Sequence, residues 1–427
     1  MGTMPHDDAV AHISAFSDFI DSAPSSFHAA RAVAEQLISA GFTELDERSP
    51  WGTDAVGRGF VVRDGAVVAW SVPDVVGESA GFRMVGAHTD SPGFKLKPHP
   101  DVTRHGWQQV GMEVYGGPLL NSWLDREFGL AGRLATMSGE QHLVRTRPIL
   151  RIPQLAPHLD RSVNDNLHLD KQQNLLPVTG VGPQPADVLA ALCAQARIER
   201  DELAYFDIVA FPTESPAVFG LAEDLFAAPR MDNLSSVFAG LTALLDAAPA
   251  SDIAVLACFD HEEVGSSTRS GASGPFLATV LRRLAGLLGV RDDAYAAMLA
   301  GSVLVSADAG HSIHPNYAHM HDPAHEPIVN AGPLLKINAN QRYATDAAGA
   351  AVWLRACEAA DVPSQPFVSN NSVPCGSTIG PLSATRLGVT TVDVGIPLLS
   401  MHSARELCGV DDPWYLTRAL GAFWAGA

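Results

Sequence analysis

The stretch Asp252-Ile-Ala-Val-Leu-Ala-Cys-Phe-Asp-His-Glu-Glu263 decides the fold. An unbroken apolar run of strand length is a strand buried on both faces, the kind found in parallel sheets covered by helices. This one stops abruptly in Asp260-His-Glu-Glu263. A second run behaves the same way: Gly81-Phe-Arg-Met-Val-Gly-Ala87 leads straight into His88-Thr-Asp90. Further strands read at Ser302–Ser306 and Thr390–Val394, and helices at Ala272–Leu288, Ala347–Ala360 and Pro413–Ala425. Alternating strand and helix predicts an α/β domain with a central, mostly parallel sheet between helices.

Before these strands, Val10 to Gly41 reads as two amphipathic helices, the second about His28–Ala40 with Gly41 as its C-cap. Trp51–Val72 reads as a hairpin turning at Arg63-Asp64-Gly65-Ala66. From about 102 to 206 the texture changes to short strands with frequent turns, such as Gly116-Gly117-Pro118, followed by the polar stretch Asp160–Gln173. The expected division is therefore 1–101 and 207–427 for the α/β domain, with an inserted β-rich domain at 102–206. A chain of 427 residues has room for both.

Composition excludes several functions. The formal charge of −19 disfavours binding to a phosphate backbone, so no nucleic-acid partner is expected. No apolar run has the length of a membrane helix, so no membrane partner is expected either. The start carries Asp7 and Asp8 and no basic or apolar leader, and His6 stands where a myristoylation signal needs Ser or Thr. Cys193, Cys258, Cys357, Cys375 and Cys408 are scattered and odd in number, which reads as buried free thiols in a reducing, cytoplasmic compartment.

Acidic and histidine residues collect just past the carboxyl ends of the predicted strands, where open α/β sheets place ligands. His88 and Asp90, two apart on an extended chain, face one way, so one can bind a metal while the other orients it; a plain strand end gives the same pattern. Adjacent Glu262 and Glu263 repel unless their roles divide. One can hold a metal while the other moves the proton of an attacking water; a solvated acidic turn is the competing reading. Asp308 and His402 end strand-like runs, and His402 alone is equally a structural histidine. Asp232, in Arg230-Met-Asp-Asn-Leu234 before a helix, is the candidate bridge. Together these oxygen and imidazole donors, without thiolate, suit a pair of divalent ions such as zinc, manganese or cobalt.

Lysine is scarce: Lys95, Lys97, Lys171 and Lys336 are all there are. Lys336 lies in the apolar run Gly332-Pro-Leu-Leu-Lys-Ile337, where a charge is costly unless paired. A substrate carboxylate would pair it; alternatively its stem packs while its head reaches water.

Six motifs make the sequence similar to the aspartyl aminopeptidase family: Gly86-Ala-His-Thr-Asp-Ser-Pro92, Arg230-Met-Asp-Asn-Leu234, Asp260-His-Glu-Glu-Val-Gly-Ser266, Ser306-Ala-Asp308 with His311 and His314-Pro-Asn-Tyr317, Lys336 with Asn340-Gln-Arg-Tyr343, and Met401-His-Ser403. They occur in the family's order, and the resemblance runs from about Phe16 to Trp424. It implies a zinc-peptidase α/β domain interrupted by a β-rich dimerisation domain. It implies that two divalent ions, most simply zinc, sit in each subunit: His88 and Asp308 on one, Glu263 and His402 on the other, Asp232 between them. Glu262 would be the general base and acid, and Asp90 would support His88. His311, Lys336 and Tyr343 would line the pocket for a peptide beginning with Asp or Glu. His158, in Arg151-Ile-Pro-Gln-Leu-Ala-Pro-His-Leu159, would reach a neighbouring subunit's site within a homo-oligomer, a tetrahedral dodecamer by resemblance. Two other functions use similar residues: a dimetal amidohydrolase or deacylase, which needs no free amine, and a catalytically silent metal-binding scaffold.

Overall fold

The structure, a computed structural model, describes residues 6–52, 56–77 and 80–427. Residues 1–5, read above for a leader and a lipid site, lie outside them. Ile253–Phe259 is a strand with every residue buried, and its side chains alternate between two cores. Ala254, Leu256 and Cys258 enter one core with Val33, Val237, Trp353 and Leu416. Ile253, Val255, Ala257 and Phe259 enter the other with Phe276, Leu281 and Ile379. Each large buried apolar side chain contributes about 1.5–3 kcal/mol. A slip of one residue would exchange the two faces, so the register is fixed.

Nine strands make the central sheet: β1 (Thr43–Glu44), β2 (Arg58–Arg63), β3 (Ala66–Ser71), β4 (Phe82–His88), β5 (Ile253–Phe259), β6 (Val303–Ala307), β7 (Leu334–Ile337), β8 (Gln365–Val368) and β9 (Thr390–Gly395). Their order is β1-β2-β3-β5-β4-β6-β9-β7-β8. The centre is parallel, through β5–β4, β4–β6 and β6–β9. The predicted hairpin is β2–β3, with Asp64 left-handed at its turn (φ 56°). Helices α1 (His6–Ser22), α2 (Ser26–Ser39), α3 (Met231–Leu245), α4 (Phe276–Leu287), α5 (Asp292–Ala300), α6 (Ala347–Ala359), α7 (Ile379–Leu387) and α8 (Asp412–Trp424) accompany this sheet. α1, α2, α3, α6 and α8 supply the first core, and α4, α5 and α7 the second. α4 starts at Phe276 instead of the expected Ala272, because Gly274 and Pro275 precede it and Pro275 takes the cap.

The chain forms two compact units. The first runs to Asp90, resumes over Pro216–Met401 and ends with Glu406–Ala427; the second is Ser91–Ser215 with His402–Arg405. The second unit begins before residue 102 because Gly93–Arg104 is one long strand of its sheet. That sheet has seven strands, all paired antiparallel. Leu203–Pro212 pairs with both Gly93–Arg104 and Glu127–Thr136, which closes it on itself. Trp123 sits in its core, edge-on to Phe94 and Phe128.

His12 shows how tightly α1 is bound. Its ring lies 5.0 Å from the Phe238 ring and 5.3 Å from the Trp414 ring, and its Nε2 is 3.2 Å from the Thr417 hydroxyl. Burial lowers its pKa from 6.5 to about 4. Between those values the unfolded chain binds a proton that the folded protein refuses, so stability falls as pH falls through that window, by up to ~3 kcal/mol from this group. Thermal melting should show this: His12→Phe should lose less melting temperature between pH 7 and pH 5 than the wild-type protein. Equal losses would mean that His12 is not the acid-sensitive group.

Candidate metal centre

The parallel register brings three chain exits to one level. Phe259 of β5 lies opposite His88 of β4, and Ser306 of β6 lies opposite Gly86. His88 is the last residue of β4, Asp308 follows β6, and the turn Glu262–Val264 follows β5. Asp308 N–H donates to the Val394 carbonyl at 2.9 Å, so the pairing continues past the strand end. A β-carbon at position 395 would collide with the Asp308 carbonyl, which is why β9 carries Gly395 there. The glutamate turn is bounded by left-handed residues, His261 (φ 65°) and Gly265 (φ 93°).

Asp232 enters from α3. The first turn of that helix is kinked: Asp232 and Asn233 have non-helical backbones, and Arg230 before them is left-handed (φ 59°). The Arg230 guanidinium donates to the carbonyls of Ile20 (3.0 Å) and Ala23 (3.2 Å), tying this kink to the end of α1.

Ligand atoms of His88, Asp232 and Asp308 lie within 4.8 Å of one another, and so do those of His88, Glu262 and Glu263. His88 Nε2 is 3.3 Å from Asp232 Oδ1, 3.7 Å from Asp308 Oδ1 and 4.0 Å from Glu262 Oε2. On the ring's other side, Nδ1 is 3.0 Å from the Asp90 carbonyl and 3.5 Å from Asp90 Oδ1. The Asp90 carboxylate also accepts the backbone N–H groups of Glu262 (2.9 Å) and Glu263 (3.2 Å). Asp90 thus orients the imidazole through its carbonyl, with its carboxylate alongside, and holds the glutamate turn through the carboxylate.

Electrostatics test whether a cation fits. Burial pushes the Glu262 pKa up to about 7; the His88 charge opposes that rise, and the charges of Asp308, Asp232 and Asp90 add to it. Burial disfavours protonated His88, yet hydrogen bonds to Asp232, Asp308 and Asp90 hold its pKa well above the imidazole range. Without a cation, burial and the packed carboxylates favour the protonated form of Glu262, and the carboxylates that of His88; metal binding displaces such protons. The donors are carboxylate oxygens and imidazole, a set that suits zinc.

His402 belongs to the second unit and is left-handed (φ 65°). Its Nδ1 is 2.9 Å from the Gly117 carbonyl and its own carbonyl accepts the Leu119 N–H at 2.9 Å. It lies on a turn beyond Leu399, not at the end of a strand as its apolar neighbours suggested, because the short strand Pro397–Leu398 has already finished.

Lys336, Tyr343 and His311 gather around Phe367. The rings of His311 and Tyr343 lie 6.1 and 6.2 Å from that of Phe367. Lys336 is 1% exposed, so the reading in which its head reaches water fails. Its ammonium donates to the Ala309 carbonyl at 2.7 Å and stands 5.3 Å from the centre of the Tyr343 ring. Ala309 adjoins Asp308, so this cation borders the carboxylate cluster. His158 is exposed on a turn of the second unit.

Sequence reading missed three polar residues. Glu406, 2% exposed, accepts the Asp232 N–H at 3.0 Å. Asn233 donates from Nδ2 to the Ala307 carbonyl at 2.9 Å. Asp260, buried behind the glutamate turn, has its pKa raised to about 6 by burial and the Asp90 charge. A signal existed for Glu406: in Glu406-Leu-Cys-Gly409 it alternates with Cys408 on the inward face of a strand.

A mixed α/β frame with a buried carboxylate–histidine cluster at its strand ends has the donor set of a metal-binding enzyme site. The chain belongs to the M18 aminopeptidases, since the model of the aminopeptidase I zinc metalloprotease family matches residues 19–424. A Streptomyces coelicolor protein named probable M18 family aminopeptidase 2 is 50% identical over 420 residues, 96% of this chain and 97% of that protein. One of the same name from Stutzerimonas stutzeri is 44% identical over 421 residues, 96% of this chain and 97% of that protein. Among solved structures, one described as the cryo-EM structure of the Ape4 and Nbr1 complex aligns with TM-score 0.94 and 34% identity, covering 100% of this chain and 87% of that one. An M18 aminopeptidase from Thermotoga maritima shares the fold, with TM-score 0.88 and 24% identity over 99% of this chain and 97% of that one. The resemblance read from the motifs holds, and with it a zinc metallo-aminopeptidase.

Asp90→Asn tests the double role of that carboxylate. An amide would turn N–H groups toward N–H donors, so zinc affinity, measured by competition with a chelator, should fall roughly 10–100-fold. Unchanged affinity would remove Asp90 from the centre.

Proposed function

We propose that this aminopeptidase removes Asp or Glu from the amino end of peptides with two divalent ions, zinc foremost and manganese or cobalt compatible with the ligands. His88 and Asp308 hold one ion, Glu263 and His402 the other, and Asp232 bridges them. The observation that carries this reading is the convergence of His88, Asp232 and Asp308 from three separate stretches to within 4.8 Å. Asp232 and Glu263 also offer oxygens within that distance of each other. The Gly117 carbonyl engages Nδ1 of His402, which leaves Nε2 as its ligand atom.

When bound, the ions supply the Lewis acidity that activates water and polarises the scissile carbonyl. Glu262 takes the proton of the attacking water on a carboxylate oxygen and delivers it to the leaving amine nitrogen. Asp90 keeps His88 and the glutamate turn in place. Lys336 reads the substrate's side-chain carboxylate. An ammonium has three donors, and the bond to Ala309 uses one. His311 and Tyr343 wall the same pocket.

A closed homo-oligomer is part of the proposal. A solved relative described as the S. cerevisiae mApe1 dodecamer aligns with TM-score 0.86 and 28% identity over 99% of this chain and 97% of that one. The second unit would act as the dimerisation domain, and exposed His158 would complete a neighbour's site. The five free cysteines, and the absence among described residues of a helix able to cross a membrane, suit a cytoplasmic protein.

Two substitutions test the chemistry. Glu262→Gln should keep its metal content by elemental analysis while kcat falls roughly 10²–10⁴-fold; full turnover would refute the general base. Lys336→Met should lower kcat/KM for an N-terminal Asp substrate roughly ten- to a hundredfold, the worth of one hydrogen bond to a charged group, while its Asn counterpart changes little. Hydrolysis of acetylated Asp substrates would instead favour a deacylase.

A further inference from the structure

Asp232 stands on irregular backbone, where nothing in helix or sheet geometry fixes its direction. Two buried side chains anchor this stretch. Asn233, fully buried, donates to the carbonyl of Ala307, the residue before Asp308. The Glu406 carboxylate accepts the backbone N–H of Asp232 itself. Glu406 reaches that point by register: the strand Glu406–Gly409 pairs antiparallel with Leu225–Ala228, and Glu406 lies opposite Ala228, just before α3. A buried carboxylate is costly, and apolar packing alone would call for a residue like its strand partner Ala228. Its acceptor atom is the feature an apolar residue lacks. An ionised carboxylate is acceptor-only, and its hydrogen bond to an N–H is about twice as strong as a neutral one.

We infer that Glu406 is a positioning residue that fixes the bridging carboxylate of Asp232 by accepting its backbone N–H. The inference rests on the proposal that Asp232 bridges two ions. Losing the acceptor frees the Asp232 peptide to rotate, and the carboxylate can then serve one ion or the other but no longer both.

The experiment compares Glu406→Leu, Glu406→Gln and Asp232→Asn in the full chain loaded with Mn2+. It reads binding of the second ion by titration, spin coupling between the ions by electron paramagnetic resonance, and melting temperature. Glu406→Leu should bind the second ion roughly 10–100-fold more weakly and lose the coupled signal. Glu406→Gln, which keeps an acceptor on the same stem, should stay coupled and lose less than tenfold. Coupling retained in Glu406→Leu, or a loss in Glu406→Gln as large as in Glu406→Leu, overturns the inference. If the Leu variant does not fold, Gln decides alone: a coupled signal supports the role, and a loss of tenfold or more overturns it. Asp232→Asn separates the two claims. If it stays coupled, the bridge reading fails and the inference with it; if it uncouples while Glu406→Leu does not, only the inference fails.

Discussion

Parallel register at the centre of the sheet is the constraint on which the rest depends. Because β5, β4 and β6 run the same way and pair without a shift, their carboxyl ends open at one level. The alternation of β5 between two cores locks that register with apolar burial on both faces. Polar residues placed just after each strand therefore meet, although they are far apart in sequence. Hydrophobic packing supplies the free energy that holds carboxylates together against their own repulsion.

That repulsion is managed by a few shared hydrogen bonds. Asp90 touches both the His88 ring and the glutamate turn. Asn233 links the Asp232 kink to the end of β6, and Arg230 links it to the end of α1. Each of these groups connects two exits from the core, so the cluster is braced by backbone and amide contacts rather than by the flexible reach of its ligands. A proposed metal pair would then settle into positions set beforehand, which is the condition for a metal centre to keep one geometry through a reaction.

The sequence made the frame and the acidic cluster legible for the same reason: both are local signals. An apolar run with an abrupt polar end, as at Phe259-Asp260 or Ala87-His88, contains the strand and the ligand position in one stretch. What could not be read needs contacts across the chain. Alternation with Cys408 marks Glu406 as inward-facing, but its meeting with Asp232 runs through a pairing that no spacing announces. His402 falls on a turn because Pro397–Leu398 is a very short strand, and short strands carry no periodic signal. The edge of the second unit at Ser91 was hidden because Gly93–Arg104 continues the texture of the strand before it.

Charge sets the last condition on the proposed specificity. A net charge of −19 repels an acidic peptide at a distance. At physiological ionic strength that repulsion fades within about 8 Å, whereas a buried pair is screened far less. Lys336 is buried, anchored to the carbonyl beside Asp308, and faces an aromatic ring. Its attraction is therefore strongest where water is excluded, beside the carboxylate cluster, and weakest where the global charge acts. In the proposed reading, an acidic side chain would gain from this cation only after the peptide's amino end has entered, so discrimination would fall on the bound substrate and not on the encounter.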